Sequence, residues 1–142
     1  KVKKQIIERD EKELNLRKIL NLGHTFGHAY EATLNYSKRL NHGEGVLYGI
    51  LSATKLSKKL KILKKGDYKL ILSHLSKLNF IDLKKFFKKR DASKIVRFMI
   101  ADKKNTSNKI NFVTLKRIGK VSVDIQLNTY KVKGFVELEL LK

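Results

Sequence analysis

The 142-residue sequence contains no proline, and long stretches of it carry apolar residues at helical spacing. A chain with that pattern and without the commonest helix breaker is expected to be mostly α-helical. Val2 to Ile7 read as the end of a helix, and Asp10 to Leu14 as a polar approach. A helix is then expected from about Asn15 into the early thirties, with Leu16, Ile19, Leu20 and Phe26 as its apolar stripe. Residues 35–41 form a polar loop. A second long helix runs from about His42 to Lys61, carrying Val46, Leu47, Ile50, Leu51, Ala53, Leu56 and Leu60 near one face. Gly66 suits a helix stop, and Asp67 an N-cap for a third helix with Tyr68, Ile71, Leu72, Leu75 and Leu78. Shorter helices fit Asp82 to Lys88 and Ser93 to Asp102.

After residue 109 the period changes to two. Ile110, Phe112 and Thr114 alternate, Gly119 marks a turn, and Val121, Val123 and Ile125 alternate again, which predicts a β-hairpin. Thr129 to Leu141 read as a closing helix. The expected architecture is mainly α: a multi-helical domain with one small hairpin, residues 1–142 forming a single domain.

Cysteine is absent, so disulfides and thiolate ligands are excluded, and any metal must be held by imidazole, carboxylate or water. With neither a signal-like apolar region nor disulfides, the chain reads as cytoplasmic, and no apolar run is long enough to suggest a membrane span. The formal charge of +20 has two readings, an electrostatic footprint for nucleic acid or lysines decorating solvated helix faces. The lysines are dispersed through nearly every segment and no nucleic-acid-binding motif accompanies them, so a nucleic-acid partner is disfavoured.

Gly23 and Gly27 each cost roughly 1 kcal/mol relative to Ala in a helix. Their presence around His24 and His28 predicts a close approach to the backbone. His24 and His28 are four residues apart, which on a helix projects both rings from one face. His42, at the start of the next helix and followed by Gly43 and Glu44, can fold back towards them. Three imidazoles and a carboxylate so close in a chain with four histidines suggest a metal or catalytic site. Arg17, Asn21, His24 and His28 step by four, three and four, so one continuous helix would present all four on one side. His74, on an amphipathic helix away from this cluster, reads as a surface residue.

The run from Leu16 to Ala29, which contains LNLGHTFGHA, followed by His42-Gly43-Glu44, resembles the signature of 3-dehydroquinate synthases. The resemblance extends upstream to Asp10, Glu11 and Glu13, and downstream to Asp102, Lys103 and Lys104 before the hairpin. It implies that this chain is the C-terminal zinc- and substrate-binding half, the N-terminal NAD-binding domain being outside it. His24 and His42 would be ligands to Zn2+ (or Co2+), and His28 a catalytic histidine near the leaving phosphate. Glu13, Arg17 and Asn21 would contact substrate. One lysine of the Lys103 and Lys104 pair would bind the charged end of the substrate, with Lys103 favoured as the catalytic member and Lys104 as a substrate contact.

The implied reaction converts 3-deoxy-D-arabino-heptulosonate 7-phosphate, a phosphorylated sugar acid, to 3-dehydroquinate and phosphate, with zinc and tightly held NAD, in the shikimate pathway. The family commonly dimerises, so a homodimer is an expectation. No residue of this chain is assigned to NAD, and a third zinc ligand, a glutamate, belongs to the N-terminal half. The isolated chain is therefore expected not to turn over substrate. Gly45 stands where the family usually has alanine. The alternatives are a related sugar-phosphate cyclase and a small basic nucleic-acid-binding module.

Overall fold

The computed structural model describes residues 2–10, 17–77, 82–101 and 108–141. Within these, six α-helices and a two-stranded antiparallel hairpin run in the order α1 (Val2–Arg9), α2 (His24–Thr33), α3 (His42–Lys59), α4 (Lys65–Ser76), α5 (Ala92–Ala101), β1 (Lys109–Arg117), β2 (Lys120–Asn128) and α6 (Thr129–Glu139). None of the described helices is long and apolar enough to cross a membrane. The core lies where α2, α3, α5 and α6 meet β1. Phe26 of α2 sits at its centre, with ring centres 5.1 Å from Phe112, 5.9 Å from Phe135 and 6.2 Å from Tyr30. Such aromatic contacts add to the burial term that each large side chain contributes. Tyr30 is fully enclosed; its hydroxyl is hydrogen-bonded to that of Ser52 on α3 at 2.8 Å, and burial pushes its pKa up, so the phenol stays protonated.

The hairpin turns at Gly119, whose φ is +76°. Ile110 pairs with Leu127 and Phe112 with Ile125, and the alternation expected for β1 holds: Ile110, Phe112 and Thr114 are buried. Ser57 of α3 fastens this strand to the helices, accepting from the Leu115 amide at 2.9 Å and donating to the Ala53 carbonyl at 2.6 Å.

The expected continuous helix from Asn15 is corrected. Asn15 itself lies outside the described residues, Arg17–Asn21 form a 3-10 turn, and α2 begins only at His24. Gly23 breaks the helix by adopting φ +83°, a conformation that a residue with a Cβ rarely takes. Arg17 and Asn21 therefore do not share one helical face with His24 and His28, although those two histidines keep their i, i+4 relation. The close approach predicted from the glycines is present, and the approaching element is α3. A Cβ on Gly49 would lie 2.0 Å from the Gly23 carbonyl oxygen, and one on Gly27 would lie 2.8 Å from that of Gly45.

Three further expectations shift. Gly66 is not a stop but the second residue of α4, and Asp67 is in the first turn rather than at the cap, where a carboxylate favours the positive helix end. The region from Asp82 to Lys88 forms one 3-10 turn, with the Asp82 side chain accepting from the Lys84 amide at 3.0 Å. Leu78 and Asp102 lie outside the described residues.

The stop of α3 falls at Leu60. The Lys61 amide donates to the Lys58 carbonyl (3.0 Å) and the Ile62 amide to that of Ser57 (2.9 Å), the pattern of a Schellman cap. Lys61 occupies the left-handed position, φ +59°, that glycine ordinarily fills. Lys61→Gly is expected to stabilise the fold by roughly 0.5–1 kcal/mol, because removing the Cβ strain outweighs the added unfolded-state freedom. Urea denaturation would show this as a higher midpoint with an unchanged slope; a lower midpoint would count against it.

Candidate functional site

The loop between α2 and α3 is short and the two helices are antiparallel neighbours, so the first turn of α3 returns beside the face of α2 that carries the histidines. Asn41 starts α3 with a reciprocal cap: its side-chain oxygen accepts from the Glu44 amide at 2.9 Å, and a Glu44 carboxylate oxygen accepts from the Asn41 amide at 3.0 Å. This places His42 at the first helical position, facing α2. It also gives Glu44 a capping role.

The three histidines converge. Ring centres are 5.3 Å apart for His24 and His28, 6.0 Å for His28 and His42, and 6.4 Å for His24 and His42. Two imidazoles bound to one tetrahedral ion, with metal–nitrogen distances near 2.0–2.1 Å, have ring centres roughly 5–5.5 Å apart. The His24–His28 separation meets that requirement, while the His28–His42 and His24–His42 separations are wider by roughly 0.5–1 Å. Imidazole donors suit zinc and other divalent first-row metals. In residue type the donor set fits a divalent ion. His28 and His42 are exposed, while His24 is half-buried.

Glu31 is the carboxylate that joins them. It lies on α2, is 7% exposed, and places its two oxygens 3.0 and 3.3 Å from Nδ1 of His42. The donor atoms of His28, Glu31 and His42 all lie within 4.8 Å of one another. Sequence proximity points to Glu44 as the nearby carboxylate and not to Glu31, which is the one that reaches His42. The signals for the true arrangement were the Asn-x-x-Glu cap at 41–44 and the i, i+3 spacing of His28 and Glu31.

These side chains line a cleft of about 1070 Å3 that also takes in Lys18, Asn21 and Asn111. β1 and β2 form its far wall. Thr25 bonds to the Asn111 carbonyl at 3.3 Å, and Lys18 reaches across to Asp124 at 2.7 Å. Asp124 stands at an irregularity of β2 with φ +57°, which turns its carboxylate towards the 3-10 turn. Arg17 lies at the start of that turn, its amide bonded to Asp10 at 2.9 Å, and is not among the described residues lining the cleft. Glu13, Lys103 and Lys104 lie outside the described residues. His74 is exposed on α4, away from the cleft.

Residues 1–105 match the family model described as 3-dehydroquinate synthase C-terminal. A protein of Pelagibacter ubique named 3-dehydroquinate synthase is 49% identical over 142 residues, covering 99% of this chain and 39% of that protein. One of the same name from Endomicrobium trichonymphae is 42% identical over 141 residues, covering 99% of this chain and 36% of its own length. This chain therefore spans less than two-fifths of the length of these relatives. A crystal structure of 2-deoxy-scyllo-inosose synthase, complexed with carbaglucose-6-phosphate, NAD+ and Co2+, shares the fold with a TM-score of 0.74. Its sequence identity is 21%, and the match covers 96% of this chain and 38% of that one. The glycine seam, the convergent histidines and a family match across residues 1–105 lead to one assignment: the chain belongs to the 3-dehydroquinate synthase C-terminal family.

Proposed function

We propose that this chain is the metal- and substrate-binding part of a 3-dehydroquinate synthase, a phosphate-eliminating lyase that converts 3-deoxy-D-arabino-heptulosonate 7-phosphate to 3-dehydroquinate with zinc and NAD. The observation that carries the reading is the convergence of His24, His28 and His42 on one side of a large cleft. The names of the relatives and the sugar phosphate, NAD+ and Co2+ in the fold neighbour's title support it.

In this reading His24 and His42 hold the divalent ion. Zinc held there supplies Lewis acidity that lowers the pKa of a coordinated substrate hydroxyl. NAD supplies a reversible hydride acceptor for the ring hydroxyl, and its binding is assigned to no residue of this chain. His28, four residues beyond His24 and open to the cleft, carries a proton on a ring nitrogen between substrate and departing phosphate. Asn21 offers an amide to a substrate hydroxyl from the cleft wall. Arg17 contributes a two-pronged cation for phosphate, with Glu13, Lys103 and Lys104 completing the polar contacts. The basic character of the chain, +20 overall, suits a substrate bearing both carboxylate and phosphate.

The test joins this chain behind the segment that precedes the matching region in the Pelagibacter ubique relative and follows phosphate release with zinc and NAD present. Release from the heptulosonate phosphate is expected, and His28→Ala should lower the turnover number roughly 100-fold or more while metal content is retained. Release from glucose 6-phosphate instead would favour a related sugar-phosphate cyclase, the second reading raised by the fold neighbour. Release from neither would sink the proposal.

A further inference from the structure

The role of Glu31 goes beyond these assignments. We infer that Glu31 is a positioning residue that fixes His42 as its Nδ1–H tautomer and so aims Nε2 at the cleft; the inference rests on the metal reading of His42. The starting point is that the His42 side chain is 66% exposed. An imidazole so exposed at the start of a helix has several rotamers and two neutral tautomers open to it. The Glu31 carboxylate removes that freedom. Both its oxygens lie within 3.3 Å of Nδ1, and an ionised carboxylate only accepts hydrogen bonds. Nδ1 must then carry the proton, and Nε2 keeps the lone pair that a divalent ion requires.

Two features show that the carboxylate is held for this purpose. Glu31 is nearly enclosed, and a buried carboxylate is costly unless strong hydrogen bonds compensate. Space for it comes from residue 45: a Cβ on Gly45 would lie 3.0 Å from Cγ and 3.2 Å from Cδ of Glu31. The glycine at 45 therefore lets the Glu31 stem pass α3 and reach the ring at its first turn. Because Glu31 and His28 share α2, the same helix that presents His28 to the cleft also orients the imidazole of α3.

The experiment uses the 142-residue chain, metal-free, with 15N-labelled histidine at a pH above the histidine titration range. His42 is expected mainly as the Nδ1–H tautomer. In Glu31→Met, which keeps side-chain length but removes the acceptors, it should shift to the Nε2–H form. In Glu31→Gln the amide oxygen still accepts, and the Nδ1–H form should largely return. Titration of the fusion protein described above with Co2+, followed by its visible spectrum, should show affinity weakened roughly 10–100-fold in Glu31→Met and recovered in large part in Glu31→Gln.

An unchanged His42 tautomer in Glu31→Met overturns the inference. So does a loss of Co2+ binding in Glu31→Gln as complete as in Glu31→Met, since that would make the carboxylate itself a ligand. A tautomer shift in the chain, together with no Co2+ binding by the fusion protein, would support the positioning role while overturning the metal reading, so the two failures can be told apart.

Discussion

Gly49→Ala should destabilise this chain by more than about 3 kcal/mol, a large part of the 5–15 kcal/mol typical of a domain. The added Cβ would lie 2.0 Å from the Gly23 oxygen, 2.8 Å from the Gly27 nitrogen and 2.9 Å from the Gly23 carbonyl carbon. All three are backbone atoms, so no side chain can rotate away. The clash is relieved only by separating α2 from α3, and that would open the packing around Phe26 and Tyr30. Overpacking that a flexible side chain can absorb costs about 1–3 kcal/mol; a backbone collision should exceed that range. Gly134→Ala serves as the control. That glycine lies within α6 with nothing within 4 Å of the added atom, so alanine there should stabilise by up to roughly 1 kcal/mol. Urea melts followed by circular dichroism check both, and a Gly49→Ala midpoint close to the parent's would refute the backbone-contact argument.

The second large effect concerns the ligands. In the fusion protein described above, His24→Ala and His42→Ala should each weaken zinc or cobalt binding by more than the roughly 10–100-fold expected for a group that merely orients a ligand. Turnover should fall in step, because hydroxyl activation and substrate orientation would both be lost. His74→Ala, on the exposed face of α4, should alter neither. Metal content by atomic absorption after dialysis, together with phosphate release, gives the comparison. Full metal retention in His24→Ala would remove that residue from the ligand set and leave the His28, Glu31 and His42 group as the better description.

Much of this was legible in the sequence, and the exceptions have physical reasons. The hairpin announced itself because Ile110, Phe112 and Thr114 must alternate to bury one face. The helical spacing of α3 was visible in Val46, Leu47, Ile50, Leu51, Ala53, Leu56 and Leu60, but of these only Ala53 and Leu56 are buried. The buried face also takes Tyr48 and Ser52, whose hydroxyls keep them out of an apolar pattern. The break at Gly23 was hidden: apolar residues continue with helical spacing through it, and periodicity does not register a single left-handed residue. The end of α3 near Lys61 was legible where the apolar spacing stops, but the left-handed residue that makes the stop was not, since lysine is a poor choice for a position of positive φ and Gly66 drew attention as the better candidate. Glu31 was passed over because a glutamate on an amphipathic helix ordinarily reads as solvated. Its burial comes from close packing beside Gly45, a residue of the neighbouring helix, and that is tertiary information. Glu44 misled in a complementary way, being near His42 in sequence but committed to its own helix start.

The seam between α2 and α3 also has a mechanical meaning. Where side chains separate two helices, the spacing can breathe as rotamers exchange. Here main-chain atoms abut directly, so the gap is already at its lower limit and acts as a hard stop between the element bearing His24 and His28 and the one bearing His42. Compression should leave the imidazole spacing nearly unchanged, with volume lost first from the looser packing around α4, a helix without a fully buried residue.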